Sequence, residues 1–376
     1  MELFRLENVT YTHNPSLPPV LENVSLSVGE NVRTAVLGAN GAGKTTLFYT
    51  LTGIYKPQSG EVLFKGQPVE YTKEGLRSLR SEVAVVLQNP DEQIFCSLVE
   101  EDVAFGPLNL GLDRPEVEAR VAKALRDVRM TEYAGKPLQQ LSGGQRKRVA
   151  IAGALAMRPK IMIMDEPTAG LDPQASMEVM ELAEKLHLSG VTVMISTHDI
   201  DMIYRWAQSS IVMRHGAVEF SGDLDSFFED REGVNRCGLQ TPSVYYMNRG
   251  MSIAKGVEER PCPRNCCEFE AKYGKVRDIG TLKCIVSSEE DAASAFDDIK
   301  ASHPRMPVGV YGCDVRYALR GSPVEYRYDA MDACFTQTLR GNDCALIVDP
   351  VYRTMVEAQA ERMRAMGAEV SLEVVQ

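Results

Sequence analysis

Residues Gly38, Ala39, Asn40, Gly41, Ala42, Gly43, Lys44, Thr45 and Thr46 carry the most direct chemistry in the chain. The spacing Gly38-x-x-x-x-Gly43-Lys44-Thr45 follows the apolar run Val32–Leu37 and precedes a helical stretch, Thr46–Thr52, which sets it as a loop between a strand and a helix. In that setting the glycines let backbone N–H groups turn inward around a phosphate. The helix start behind them adds positive potential. Lys44 can reach the β and γ oxygens of ATP, and the Thr45 hydroxyl can sit on Mg²⁺. The chemistry is binding of a nucleoside triphosphate with its metal.

A second set of residues suits hydrolysis. Asp165 ends the apolar run Ile161–Met164, a strand expected to lie beside the phosphate-loop strand, and its carboxylate can hold Mg²⁺ through water. Glu166 follows and can polarise an attacking water as general base. Gln88 ends the run Val83–Leu87 and can bond the metal or the water. His198 follows the strand Val191–Ser196, where its imidazole could contact the γ-phosphate. Taken singly, an acidic pair after a strand is more often a helix cap or turn, and a lone glutamine or histidine is structural or superficial. Their order around the phosphate loop and around Leu141-Ser142-Gly143-Gly144-Gln145, whose paired glycines can approach phosphate closely, promotes them together.

These residues need elements to position them. Residues 1 to 238 alternate short apolar strands with helical patterns: Leu3–Tyr11 and Leu21–Val28 read as antiparallel strands, and Val32–Leu37 and Ile161–Met164 as strands buried on both faces. Pro115–Arg129 and Pro173–Leu188 have helical spacing, the second with its proline just inside the start. Residues 239–278 read as a linker with a short helix. Residues 279–376 restart the alternation, with strands at Leu282–Ser287, Val308–Gly312, Ala345–Val348 and Val370–Val375 and helices at Ala292–Ala301, Tyr328–Leu339 and Tyr352–Met366, a small parallel α/β domain.

The bulk figures agree with a globular chain of two to three domains. Of 376 residues, 44% are hydrophobic and 25% charged. A net charge of −11 argues against a general nucleic-acid binder, which needs a basic face. No run approaches the ~18 apolar residues of a membrane span, and the longest uncharged apolar stretch, Val149–Met157, reads as a core helix. The start Met1-Glu-Leu-Phe-Arg lacks the pattern of a signal peptide. Nine cysteines without even spacing suit a reducing compartment. Service to a membrane would then be from the cytoplasmic side and through a partner.

Together the motifs resemble the nucleotide-binding subunit of ABC transporters over residues 1 to about 245. The wording of Gln88-Asn-Pro-Asp-Glu-Gln-Ile-Phe95, Phe105-Gly-Pro-Leu-Asn-Leu-Gly-Leu112 and Arg146-Lys-Arg-Val-Ala-Ile-Ala-Gly153 is similar to the ATPases of energy-coupling-factor importers, especially the cobalt type. The fold implied is α/β: an ABC-type P-loop NTPase domain with a mixed sheet core, an antiparallel β-subdomain and a helical signature subdomain, ahead of the small C-terminal α/β domain. The resemblance implies a second ATPase subunit, identical or not, under a transmembrane coupling protein that joins a substrate-capture membrane protein. It places the chain peripherally on the cytoplasmic membrane face, with ATP and Mg²⁺ and without nucleic acid. It further implies that Ser142, Gly143, Gly144 and Gln145 act on the γ-phosphate held by the opposite subunit, and that Asp172 communicates across the dimer. Asp91, Glu92, Gln93, Ile94 and Phe95 would lie near the groove that receives the coupling protein. The family stacks adenine on an aromatic after the first strand, often the second of a Tyr-x-Tyr pair. Here Tyr11-Thr12-His13 puts histidine there, with Tyr11 expected on the other face. Soluble ABC ATPases of ribosomes or DNA repair carry two cassettes or a coiled-coil insertion, and this chain has neither.

Residues 279–376 resemble no named family. Asp314 and Asp349 follow strands, so they mark the crevice where open parallel sheets bind ligands, unless they merely cap the next helices. Cys262, Cys266 and Cys267, with Cys237 nearby, could meet a soft metal, although adjacent cysteines chelate poorly. The domain is open to four readings: a regulatory sensor, a dimer brace, an appendage of unknown use, or an enzyme fused to the motor.

Overall fold

The computed structural model describes residues 2–274 and 278–375. It divides into two compact units, Met1–Gln240 and Thr241–Gln376.

In the first unit, β1 (Glu2–Tyr11) and β2 (Leu21–Gly29) pair antiparallel, with Phe4 opposite Val28 and Leu6 opposite Leu26. Their alternation puts Phe4, Leu6, Val24, Leu26 and Val28 into one core. After β3 (Arg33–Leu37), β4 (Ser59–Phe64) and β5 (Gln67–Pro68) complete this antiparallel sheet in the order β2-β1-β4-β5. The strands β6 (Val83–Val86), β7 (Ile161–Asp165), β8 (Thr192–Ser196), β9 (Ser209–Arg214) and β10 (Ala217–Gly222) join β3 in a second sheet, ordered β10-β9-β3-β8-β7-β6. It is parallel except for the edge pair of β9 and β10. Every residue of β7 and β8 is buried, as their unbroken apolar runs require of strands covered on both faces. One expectation is corrected here. The strand that ends in Asp165 does not lie beside the phosphate-loop strand, because β8 is inserted between them. Neighbouring strands in a parallel sheet need not follow each other in sequence, so periodicity carried no information about that order.

Helix α1 (Lys44–Leu51) leaves the phosphate loop, and α2 (Lys73–Glu82) leads into β6. The helices α3 (Val99–Asn109), α4 (Arg114–Asp127) and α5 (Gly143–Ala156) pack on one another as a helical layer. Helix α4 opens on Asp113, whose carboxylate accepts the Glu116 N–H at 3.1 Å, with Pro115 just inside the start. Helix α6 (Pro173–Leu188) has the bounds its spacing predicts, and α7 (Ile200–Trp206), α8 (Leu224–Glu229) and α9 (Arg231–Arg236) close the unit.

The second unit differs from expectation at its start. The stretch 239–278, read as linker with a short helix, carries α10 (Ser243–Lys255) and α11 (Cys266–Tyr273), and its residues 275–277 lie outside the described residues. Cys267 and Ala271 of α11 belong to the same core as Phe335, Val356 and Met363. Glu268, with no exposure, takes two 2.7 Å bonds from the Arg362 guanidinium. Lys272 donates to the carbonyls of Glu259 and Pro261 and to Asn248 Oδ1, tying α10 to α11. Polar residues that bind inside a fold look like linker in a sequence, and the composition of this stretch reads that way for the same reason. Beyond it, β11 (Thr281–Val286), α12 (Ala292–Ser302), β12 (Val308–Tyr311), α13 (Cys313–Ala318), α14 (Ala330–Leu339), β13 (Cys344–Val348), α15 (Arg353–Ala365) and β14 (Ser371–Val375) build a wholly parallel sheet, ordered β12-β13-β11-β14.

Candidate active site

The carboxyl ends of β3, β7 and β8 open onto one cavity of about 270 Å³. It is lined by Asn40 to Thr46, Gln88, Asp165, Glu166 and His198, with Val20 at its edge. Two loop positions require glycine. Gly38 has φ 143° and a Cβ there would strike the Met213 carbonyl, while Gly43 has φ 102° beside the Val20 carbonyl. Lys44 is buried and its ammonium donates to the carbonyl oxygens of Gly38 at 2.7 Å and Ala39 at 3.3 Å. Burial pushes its pKa down, and the Glu166 and Asp165 carboxylates oppose that.

The Thr45 hydroxyl donates to Asp165 Oδ2 at 2.6 Å, and the Ser196 hydroxyl donates to the other carboxylate oxygen. A hydroxyl and a carboxylate meeting beside Gln88 form an all-oxygen donor set of the hard kind that suits Mg²⁺. Glu166 is 6% exposed. His198 Nε2 lies 3.0 Å from its Oε1, and the His198 N–H donates to Oε2 at 3.3 Å. Burial raises the Glu166 pKa, with His198 and Lys44 acting against the rise. The Glu166 backbone is left-handed at φ 45°, an uncommon state for an L residue that clusters at functional sites.

Three groups that matter here were not found in the sequence. Ser196 accepts the Glu166 N–H on its hydroxyl at 3.1 Å. Lys147 on α5 is 2% exposed and bonds the carbonyls of Leu87 and Gln88. Burial lowers its pKa to about 8. Tyr55 stacks on Tyr11 with ring centres 4.6 Å apart. Only the hydrophobic position of Lys147 within a helical pattern could have signalled it.

The remaining candidates stand elsewhere. Ser142 caps α5: its hydroxyl accepts the Gln145 N–H at 3.3 Å, and Gln145 Oε1 accepts the Ser142 N–H at 2.9 Å. Neither they nor Gly143 and Gly144 line the cavity, and Ser142 and Gly143 are exposed. Asp172 is exposed and caps α6 through the Ala175 N–H at 2.8 Å. Tyr11 and His13 do not face opposite ways. Their rings meet edge to face at 5.2 Å, because residues two apart in an extended segment share a face.

In the segment after Gln88, two of the five contact candidates turn inward. Gln93 uses its amide on Leu87 N, Val85 O and Ala150 O, and Ile94 is 9% exposed. Asp91 pairs with Arg146 at 2.9 Å, and Asp91 and Glu92 are exposed. Phe95, 64% exposed, meets Phe105 edge to face at 4.5 Å, with exposed Leu108 on the same helix as Phe105. The outward apolar surface is therefore Phe95 and Phe105, and Ile94 anchors the segment from inside.

In the second unit, Asp349 accepts the N–H groups of Asp314 at 3.2 Å and Val315 at 2.9 Å, so it caps α13. Cys262 and Cys267 are buried and Cys266 is exposed. Among the described residues no group of three or more His, Cys, Asp or Glu side chains is placed to hold a metal ion. Also among them, no helix is long and apolar enough to cross a membrane.

The ABC transporter family profile matches residues 21–169. The energy-coupling factor transporter ATP-binding protein EcfA of Methanocaldococcus jannaschii is 46% identical over 237 residues, 63% of this chain and 85% of that one. EcfA2 of Methanospirillum hungatei is 34% identical over 356 residues, 92% of this chain and 89% of its own, so that match extends into the second unit. Among solved structures, cbiO1 from Clostridium perfringens, described as part of the ABC transporter complex cbiONQ, matches at TM-score 0.56 and 37% identity. It covers 66% of this chain and 99% of that one. A dimeric ATP-binding cassette in a post-hydrolysis state bound to ADP and Pi matches at TM-score 0.55 and 30% identity, covering 59% of this chain and 99% of its own.

Proposed function

The chain belongs to the energy-coupling factor transporter ATP-binding proteins, a family of ABC ATPases, and on that premise we propose that it works as one of two ATPase subunits sharing two composite ATP sites. In each site, Lys44 and the loop amides from Gly38 to Thr46 hold the β- and γ-phosphates. Thr45, Asp165 and Gln88 would hold Mg²⁺, which when bound neutralises charge on the phosphate oxygens. Glu166 takes the proton of the attacking water. His198 orients Glu166 and meets the γ-phosphate. Ser142, Gly143, Gly144 and Gln145 complete the site of the other subunit, and Asp172 reports across the interface. Adenine stacks on the Tyr11, His13 and Tyr55 cluster.

One observation carries this reading. The phosphate loop, Gln88, Asp165, Glu166 and His198 share a cavity, whereas the exposed Ser142 and Gly143 lie outside it. A γ-phosphate needs donors on its far side, and a second subunit can supply them. A coupling protein in the membrane would dock on Phe95 and Phe105, and a capture protein beside it would set the cargo. The cargo proposed is cobalt, on the resemblance of the wording around Gln88 and Arg146. The site of action is the cytoplasmic membrane face, peripherally bound.

The test mixes two inactive chains. Ser142→Arg and Lys44→Ala should each abolish hydrolysis alone while Ser142→Arg still binds ATP. A mixture should recover activity, because the mixed pair keeps one intact composite site. No recovery on mixing, or hydrolysis by Ser142→Arg as a strict monomer, would sink the composite-site reading.

A further inference from the structure

Lys147 follows Gln145 by two residues, on the first turns of α5, and its side chain runs inward. A buried ammonium must be compensated: this one donates to the backbone carbonyls of Leu87 at 2.9 Å, Gln88 at 2.7 Å and Glu166 at 3.4 Å, and the Asp165 and Glu166 carboxylates attract it. Three N–H donors meet three acceptors. Those acceptors come from two different strand ends, after β6 and after β7. The ammonium therefore ties α5 to both, and a neutral apolar side chain in its place would take this donor from the Leu87 and Gln88 carbonyls and leave the Glu166 carbonyl only the Ala169 N–H among the described residues.

The Glu166 carbonyl is a consequential one to hold. Its residue has the left-handed backbone noted above, which persists only where its surroundings enforce it. On the N–H side the enforcing groups are the Ser196 carbonyl at 3.0 Å and the Ser196 hydroxyl at 3.1 Å. On the carbonyl side they are the Ala169 N–H at 3.1 Å and Lys147. A left-handed backbone fixes where Cβ points, and so where the carboxylate stands. The adjacent Arg146 reaches the other segment, after Gln88, pairing with Asp91 at 2.9 Å.

We propose that Lys147 is a positioning residue for ATP hydrolysis: carried on the helix that begins at Ser142, it holds the backbones of Gln88 and Glu166 so that both side chains face the γ-phosphate. The placement of the base then depends on where α5 stands. Movement of α5 reaches the chemistry of its own subunit through one side chain, at the same time as Ser142 moves at the helix start. The proposal rests on the reading of Glu166 as the base.

The experiment uses the full chain and compares Lys147→Met, Lys147→Gln and Glu166→Gln by steady-state ATP hydrolysis and by equilibrium ATP binding. In Lys147→Met, kcat should fall about 10²-fold, the scale of a misplacement near 1 Å, with KM and ATP affinity unchanged. Lys147→Gln keeps amide donors for part of the carbonyl set and should fall between that variant and the parent. A parental kcat in Lys147→Met, or a loss of ATP binding as large as the loss of turnover, overturns the proposal. If Lys147→Met does not fold, Lys147→Gln decides: an intermediate kcat with normal ATP binding supports it, and a parental kcat overturns it. Failure of both variants to fold makes Lys147 a stability residue and also overturns it. Normal hydrolysis by Glu166→Gln would instead remove the base reading itself, whereas an inactive Glu166→Gln beside a normal Lys147→Met removes only the role of Lys147.

Discussion

Glu166 and His198 face each other at 3.0 Å, and that distance sets a testable pH response. A general base works deprotonated, so turnover is lost as pH falls through its pKa. Burial raises the Glu166 pKa above the ordinary 4.5, which places the acid limb of kcat above that value. The positive field of His198 opposes the rise, so His198→Ala should move the limb further up as well as slow turnover. Profiles of kcat against pH for the two chains check this. A limb at the ordinary glutamate value, or one that moves down in His198→Ala, would contradict the assignment. Both residues could be named from sequence because each ends a strand at a recognisable place. Their contact with each other, and the left-handed turn that aims Glu166, involve bonds from Ser196 and Lys147, 30 and 19 residues away along the chain.

At the scale of elements, the segment after Gln88 is braced rather than loose. Asp102 Oδ1 accepts the N–H groups of Phe95 at 2.9 Å and Cys96 at 3.1 Å, while Gln93 and Ile94 hold it from inside. This bracing presents Phe95 and Phe105 outward as an apolar pair suited to a partner helix. Replacing both by serine should leave ATP hydrolysis near the parent value and release the protein from membranes that hold the transport complex. Retained membrane association and import would place the contact elsewhere. The second unit gives a different element-scale test. Arg362→Ala leaves the buried Glu268 without its half-exposed guanidinium partner, and losing a hydrogen-bond partner of a buried polar group costs about 1–3 kcal/mol. Denaturant unfolding of the full chain should show that loss in the transition of the second unit, with ATP hydrolysis intact. A change within the scatter of surface substitutions would mean that α11 is not held to α15 by this pair.

For the whole molecule, the division falls at Gln240, where the two compact units part. A chain ended there should remain folded and hydrolyse ATP, since every motif of the nucleotide site precedes it and the first unit has its own core. A chain ended near Asp278 should behave worse. It would keep α10 and α11 but expose Cys267 and Ala271, which belong to the core of the second unit. Thermal unfolding and sedimentation of the two truncated chains separate these outcomes. Equal behaviour would show that α11 does not need that core. Among the open readings of the second unit, a ligand response of the full chain that is lost on truncation at Gln240 would support the sensor.

By itself the sequence determined the local features of this protein. The phosphate loop, the strand-ending Asp165 and Glu166 and the bounds of α6 follow from turn chemistry and periodicity, which act over a few residues. The same logic gave the alternation of strands and helices in residues 279–376. Only the tertiary structure decided the order β3-β8-β7, the packing of α10 and α11 into the second unit, the inward turn of Ile94 and the ring contact of Tyr11 with His13. It also decided that Lys147 of α5 reaches the backbone behind Glu166. Each of these joins residues distant in sequence or selects a side chain's direction, and a hydrophobic pattern constrains neither. Burial of charge in particular is decided by what lies opposite, and for Lys147 and Glu268 the opposite groups come from other elements.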